Sequence, residues 1–261
     1  MKMRSRRIVR WGSRPKRSKA LRFAPQNDRL GSKHLSELGW WERELARYVA
    51  WYEGKHDLYG VPPPDLDEAK VRPTIEASAC VTFLAQTLDR YPSDLKIGRT
   101  HFAGKTLLDL GCGPLPWSIA FDECRIVALD PLIDRYEAAG FPMHEFTNRV
   151  TFVRGFAEDM PFPASSFDAL IAVNSIDHVD DFARTTEEIK RVLKPDGIVR
   201  MEVLYHPPTR LEPQVLSDEK VLAHLGELGM AKVSEAVPEG VYRHSDDPGE
   251  RIVIWANDAE S

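Results

Sequence analysis

The sequence predicts an α/β fold in which a seven-stranded, mostly parallel sheet carries helices on both faces. From residue 101 onward, short apolar runs bounded by turn residues alternate with helix-length amphipathic segments, and this alternation is typical of parallel sheets. A chain of 261 residues is long enough to bury such a core. No apolar run exceeds about five residues, whereas a membrane-spanning helix needs roughly 20. We therefore expect a soluble, cytoplasmic protein.

Each element of the sheet domain follows from its local pattern. Runs rich in β-branched and other apolar residues predict strands at 106–110, 125–130, 150–154, 169–174, 198–203, 231–236 and 251–256. Amphipathic segments between them predict helices at 117–123, 135–139, 182–193 and 217–228. The stretch 194–197, Lys-Pro-Asp-Gly, predicts a helix stop and a turn. A polar segment rich in Gly, Pro and Asp joins the last two strands, so we expect a hairpin that supplies an antiparallel edge strand.

A helical cap, residues 30–100, precedes the sheet domain, residues 101–261. Apolar residues recur at helical spacing after Ser36, which we predict as the cap of a first, aromatic-rich helix: Trp41, Leu45, Tyr48 and Tyr52. Such a helix could cover a pocket, although an aromatic stripe at helical spacing is more often plain packing. The triple proline 62–64 predicts an extended connection. A second helix is expected at 74–90, ending before Pro92.

The first 29 residues form a basic tail. Residues 1–22 hold ten basic side chains and no acid, whereas the whole chain holds 35 basic and 40 acidic side chains, for a net charge of −5. Because like charges repel, we expect the tail to be disordered. An organelle import peptide and an arm that contacts phosphates or anionic lipid are the alternatives.

The three cysteines, Cys80, Cys112 and Cys124, exclude two classes of small protein. They are too few for a disulfide framework, and none stands in a CxxC pair that would indicate a zinc ribbon. A reducing compartment is therefore expected.

A glycine-containing turn after the first predicted strand indicates a ligand site. Asp109 lies near the end of the run Leu-Leu-Asp-Leu, and Gly111 and Gly113 follow this run. Glycines let a chain turn sharply and let its backbone approach a ligand more closely than a Cβ would permit. The next strand ends in Asp130, where a carboxylate can hold both hydroxyls of a ribose. Prolines at 114 and 116 remove two N–H groups that a pyrophosphate would use, so a nucleoside ligand without phosphates fits better.

Five motifs in order resemble those of the class I S-adenosylmethionine-dependent methyltransferases, in particular the small-molecule branch with an LDLGCG motif. They cover about residues 100 to 204 and lie at 107–114, 130–131, 155–168, 174–179 and 193–197. The resemblance implies a Rossmann-like fold. It also implies S-adenosyl-L-methionine as the cofactor, with S-adenosyl-L-homocysteine as the product.

The resemblance also implies roles for individual residues. Asp109, Gly111 and Gly113 would surround the methionine portion of the cofactor, and Asp130, with Pro131 beside it, would hold the ribose. Ala157 and Glu158 would border the adenine, and Asn174 would lie beneath the donor pocket. Phe156 stands where family members often carry an acid or amide for the adenine amine, so Glu158 or a backbone carbonyl would have to serve here.

Catalysis of methyl transfer depends mainly on alignment, because the sulfonium methyl is already activated. A base is needed only for a protonated acceptor. His178 is the first candidate, with Asp177 to orient it, and His206 is the second, while simple packing is the alternative for both. We expect no metal, because the histidines are far apart in sequence. Asp180 and Asp181 are expected to cap the helix that begins near Phe182.

The absence of two motifs from the sequence limits the classes of acceptor that we expect. The fourth predicted strand leads into Asn-Ser-Ile-Asp at 174–177 and not into the Asn/Asp-Pro-Pro-Tyr/Phe run of base-amine methyltransferases. None of the cysteines follows a proline, as the nucleophile of cytosine C5 methylation commonly does. We predict O-methylation of a small molecule or glycan, enclosed by the first helix and segment 205–213. The alternatives are an RNA or protein methyltransferase guided by the tail, and a cofactor-binding partner protein without turnover.

Overall fold

The computed structural model describes residues 30–65, 71–238 and 249–258. The basic tail, for which we predicted disorder, and most of the polar segment between the last two strands lie outside the described residues.

Seven strands form one sheet in the order β3-β2-β1-β4-β5-β7-β6. They are β1 (Thr106–Leu110), β2 (Arg125–Asp130), β3 (Val150–Arg154), β4 (Phe167–Val173), β5 (Leu193–Tyr205), β6 (Ala231–Ala236) and β7 (Arg251–Ala256). Strands β1 to β5 pair in parallel, with Thr106 of β1 opposite Arg125 of β2. The prediction of a mostly parallel, seven-stranded sheet is confirmed.

The two strands of the C-terminal hairpin take different places in the sheet from those that we predicted. Strand β7 is antiparallel to both β5 and β6 and lies inside the sheet, so the edge strand β6 runs in the same direction as β1 to β5. Burial explains this order, because β7 buries Val253 to Ala256 whereas β6 is half-buried or exposed along its whole length. A polar strand at the edge discourages pairing with another chain.

Six α-helices are present in the described residues. They are α1 (Ser32–Tyr52), α2 (Ile75–Gln86), α3 (Arg90–Asp94), α4 (Ile133–Ala138), α5 (Phe182–Val192) and α6 (Asp218–Leu225). Ser217 caps α6 as predicted, since its side chain accepts a hydrogen bond from the Lys220 N–H. None of these helices combines the length and the hydropathy that crossing a bilayer requires.

The first helix begins earlier than predicted. Gly31, in an extended conformation, precedes α1, and Ser36 lies inside it. The Ser36 hydroxyl donates to the Ser32 carbonyl, a bond that serine makes within helices as readily as it caps them. Nothing between Ser32 and Ser36 opposes a helix, so the predicted cap was wrong.

Three other boundaries also shift. The second predicted helix divides into α2 and α3, and Pro92 lies in the first turn of α3, where its missing N–H costs no helical bond. The helix predicted at 117–123 is a single 3₁₀ turn, Trp117–Ala120. The predicted end of helix α5 is confirmed. The predicted turn at 194–197, however, lies within β5, where it interrupts the pairing of β5 with β4 and places Asp196 at a positive φ.

Alternate strand residues face two hydrophobic clusters. Leu107 and Ile126 belong to the cluster that also contains Tyr48 and Phe83 of the cap, whereas Leu108 belongs to the cluster under α5 and α6. The cap therefore packs directly on one face of the sheet and shares its core.

Candidate functional site

A cavity of 1110 Å³ lies at the carboxyl ends of β1, β2 and β4. The chain passes from β1 to β2 on one side and reaches β4 on the other, and such a switch point is where doubly wound sheets bind ligands. The cavity brings together eight of the ten predicted site residues: Gly111, Gly113, Asp130, Pro131, Ala157, Glu158, Asn174 and His178.

The turn after β1 requires both of its glycines. Gly111 has a φ of +72° and Gly113 a φ of +60°, which side chains rarely adopt. A Cβ on Gly111 would come within 2.5 Å of the Ser175 Cβ, and a Cβ on Gly113 within 3.1 Å of the Trp41 ring. The turn is therefore held tightly between β4 and α1, with its backbone facing the cavity.

Asp130 links this turn to the cavity wall. Its Oδ2 accepts from the Gly113 N–H at 3.1 Å and its Oδ1 from the Leu132 N–H at 2.8 Å. Burial, together with the nearby carboxylate of Glu37, raises the pKa of Asp130 to about 7, although the two N–H groups act in the opposite direction. Each carboxylate oxygen retains a lone pair for a further donor.

Asp109 does not line the cavity, contrary to its predicted contact with the cofactor. It is fully buried, and its oxygens have no hydrogen-bond partner among the residues that the structure describes. Burial raises the pKa of Asp109 to about 7; the Ser118 hydroxyl opposes this rise without reaching hydrogen-bonding geometry. The acid at this position is therefore a buried group beneath the turn.

The burial of Asp109 predicts a pH-dependent stability. An aspartate in the unfolded chain ionises near pH 4, so the folded state alone keeps the proton between pH 4 and 7, and stability falls by about 1.4 kcal/mol for each pH unit in that range. Asp109→Asn removes the contribution of Asp109 to this dependence, whereas that of Asp130, whose pKa burial also raises to about 7, remains. Relative to the wild type, we expect Asp109→Asn to raise the free energy of unfolding by about 3 kcal/mol more at pH 8 than at pH 5, as measured by urea denaturation. An equal effect at both pH values would contradict this account.

Helix α1 covers the cavity. Lys33, Glu37 and Trp41 recur every four residues and all line the cavity, so one face of α1 points into it. The Lys33 ammonium donates to the His178 carbonyl at 2.5 Å and to Asp180 at 2.6 Å. The geometry thus supports the prediction that the first helix covers the pocket. The spacing of four residues would have identified Lys33 and Glu37 as cavity residues, which the sequence prediction missed.

The adenine side of the predicted site contains Phe156 and Glu158. Phe156 lines the cavity and stacks edge-to-face against His34 of α1, with ring centroids 5.5 Å apart. The Glu158 carboxylate accepts from the Asp180 and Asp181 N–H groups. Glu158 therefore also holds the loop that follows β4.

His178 faces the cavity on the opposite side. Its two ring nitrogens have no hydrogen-bond partner within the described ranges, and its Nε2 lies 3.7 Å from the Glu212 Oε1. Glu212 belongs to the predicted covering segment 205–213, and it also lines the cavity. The sequence prediction missed Glu212, because only the folded path of that segment brings it to His178.

His206 lies outside the cavity. It is buried and does not line the cavity, and its Nε2 is 3.3 Å from the Asp177 Oδ2. This hydrogen bond raises the pKa of His206. Asp177 therefore orients His206 and not His178, and the expectation that His206 is a second base at the acceptor is corrected.

The acids and histidines that follow β4 and β5 lie closer together than their sequence positions predicted. One ligand atom each of Asp177, His178 and Glu212 lies within 4.8 Å of the others, and His206 contacts the same Asp177. Asp181 caps α5 as expected, accepting from the Arg184 N–H, whereas Asp180 pairs with Lys33. The premise that the histidines stay apart is therefore wrong for His178 and His206.

Comparison with known proteins agrees with this geometry. Residues 108–201 match a protein family described as "Methyltransferase domain". Sterol 24-C-methyltransferase of Aspergillus fumigatus is 35% identical over 102 residues, 36% of this chain and 26% of that protein. Demethylmenaquinone methyltransferase of Lactococcus lactis is 26% identical over 166 residues, 60% of this chain and 65% of that protein. The chain thus spans about a quarter of the first relative and under two thirds of the second.

A solved structure shows the same fold. The YcgJ protein of Bacillus subtilis superposes with a TM-score of 0.51 at 18% sequence identity, covering 66% of this chain and 97% of that chain. This similarity concerns the architecture of the sheet and its helices.

Proposed function

Because residues 108–201 match a family described as "Methyltransferase domain", we propose that the protein is a class I S-adenosylmethionine-dependent methyltransferase that transfers a methyl group to a hydroxyl of a small molecule or glycan. One observation carries this proposal. A single cavity is lined by the glycine turn with Asp130 on one side and by His178 on the other. Donor and acceptor can therefore meet in one enclosed space.

The residues at the carboxyl edge of the sheet fit the cofactor. The turn at Gly111 and Gly113 leaves no room for a Cβ, so its backbone is free to approach the methionine portion. Asp130 has lone pairs for the two ribose hydroxyls, while Ala157 and Glu158 would border the adenine and Asn174 would lie below the donor. S-adenosylmethionine supplies a methyl group on a positively charged sulfur.

The protein's contribution to catalysis is mainly alignment. The cavity walls hold the nucleophile in line with the methyl carbon, an effect worth up to about 7–11 kcal/mol in favourable systems. Helix α1 covers the site, because Lys33, Glu37 and Trp41 line the cavity. The ring nitrogens of His178, which have no hydrogen-bond partner in the described part of the chain, offer a lone pair beside the acceptor, and activation of a hydroxyl requires such a lone pair.

The cap supports a compact acceptor. Tyr48, Phe83 and Trp117 line the cavity together with the sheet edge, and aromatic walls favour a small ligand with apolar surface. The volume of 1110 Å³ exceeds that of most single-ligand pockets, so it accommodates a cofactor and a second molecule. The relatives named above are methyltransferases of a sterol and of demethylmenaquinone.

The basic tail supports the alternative of a macromolecular acceptor, and its deletion separates the two proposals. We expect a chain lacking residues 1–22 to retain its activity, because a compact acceptor needs no contact with ten basic side chains. Activity should be measured at low and at physiological salt, with the full chain as the control. A loss of activity that depends on salt would favour an RNA or an acidic protein as the acceptor.

A further inference from the structure

We infer that Asp177, His178 and Glu212 bind a divalent transition-metal ion on the acceptor side of the cavity. The three side chains come from two segments that are about 35 residues apart, yet one ligand atom of each lies within 4.8 Å of the others. His178 and Glu212 line the cavity, and Asp177 lies fully buried beside them. A bound ion would therefore face the space that holds the acceptor.

Two of the three ligands have unused, buried atoms. The Asp177 Oδ1 and both ring nitrogens of His178 are buried without a hydrogen-bond partner in the described residues. Burying an unpaired polar atom is unfavourable, so three such atoms on adjacent residues indicate a missing partner. A cation satisfies a carboxylate oxygen and an imidazole nitrogen at once.

Neighbouring groups hold the carboxylates in a suitable orientation. His206 contacts the Asp177 Oδ2 at 3.3 Å and leaves Oδ1 for another partner. The Thr209 hydroxyl donates to the Glu212 Oε2 at 2.8 Å, while Oε1 faces His178. Metal sites use such hydrogen bonds to fix one oxygen of a ligating carboxylate and to direct the other at the ion.

The ligand chemistry favours a transition metal over Mg²⁺ or Ca²⁺. One imidazole and two carboxylates suit Mn²⁺, Fe²⁺, Co²⁺ or Zn²⁺, whereas Mg²⁺ and Ca²⁺ prefer oxygen ligands alone. Three protein ligands leave positions open for water or an acceptor oxygen. This site replaces the metal-free expectation drawn from the sequence.

The role of the ion rests on the proposed methyl transfer. The acceptor hydroxyl would bind the cation, which lowers the pKa of that hydroxyl, and its proton would leave to water. The alkoxide oxygen would then form a bond to the methyl carbon as the bond between carbon and sulfur breaks. The lone pair of His178 would hold the ion and would not itself take the proton.

Titration of the chelator-treated full chain with Co²⁺ tests the site. Visible absorption of Co²⁺ reports nitrogen and oxygen ligands, and calorimetry gives the stoichiometry. We expect one ion per chain, and an affinity weakened about tenfold or more in Asp177→Asn, His178→Gln and Glu212→Gln. Thr209→Val should weaken it less. His144→Gln and Glu187→Gln, at exposed positions, are matched controls that should bind like the wild type.

The outcomes are distinct. A wild-type chain that binds no Co²⁺ at millimolar concentration, or ligand variants that bind as tightly as the controls, would overturn the inference. Calorimetry with S-adenosylmethionine in the same samples separates the two proposals. If the cofactor binds and Co²⁺ does not, only the metal site fails, whereas a chain that does not bind the cofactor invalidates the proposed function whatever the metal result. Thermal melts of each variant identify any that fail to fold.

Discussion

Replacement of His178 with Ala is expected to lower kcat by about 10²–10⁴. His178 lines the cavity, and neither of its ring nitrogens has a hydrogen-bond partner among the residues that the structure describes. We expect this loss of kcat in either case: the His178 lone pair takes the proton of the acceptor directly, or it holds a cation that activates the acceptor. Steady-state kinetics with an identified acceptor measures it, with S-adenosylmethionine affinity measured alongside.

Two comparisons make the His178 result specific. His144→Ala removes an exposed histidine and should leave kcat unchanged. Added Co²⁺ should not rescue His178→Ala if the ring is a ligand. A loss of less than tenfold with cofactor binding intact would assign His178 to packing, and alignment of the acceptor would then account for the rate.

Replacement of Asp130 with Ala is expected to weaken S-adenosylmethionine binding by about a hundredfold or more. Two charged hydrogen bonds to the ribose, each worth about 1.5–3 kcal/mol, would be lost, and about 1.4 kcal/mol corresponds to a factor of ten. Calorimetry with the wild type and the variant measures the change. Unchanged affinity in the variant would mean that the ribose is held elsewhere.

The same carboxylate predicts a pH dependence of cofactor binding. Burial and the nearby Glu37 and Asp109 raise the pKa of Asp130 to about 7, and ribose hydroxyls donate best to the charged form. Below pH 7 the carboxylate must first lose a proton, so affinity is expected to fall by up to about tenfold per pH unit. Asp130→Asn should bind weakly at every pH and show no such slope.

Most of the fold could be predicted from local patterns. Each strand of the parallel sheet contains a short run rich in apolar residues, and buried strands of this kind have few alternatives. The glycine turn was also identifiable, because its positive φ angles and the closeness of Ser175 admit no other residue. Local chemistry determined these features, so sequence alone was sufficient.

The acceptor side could not be predicted in the same way. Glu212 reaches His178, and His206 reaches Asp177, only through the folded path of segment 205–213. That path depends on packing between residues about 30 positions apart, which no local pattern encodes. The position of β7 inside the sheet has a similar origin, since it was decided by the burial of Val253 to Ala256 against neighbouring elements.

Methyl transfer itself is tested most directly by mass spectrometry with S-adenosylmethionine that carries an isotope-labelled methyl group. The full chain is incubated with fractionated small molecules and glycans, and products are searched for one labelled methyl group on oxygen. We predict such a product with the wild type and its loss with Asp130→Ala. A chain that binds the cofactor but labels no acceptor in any fraction would contradict the proposed activity and favour a cofactor-binding partner protein without turnover.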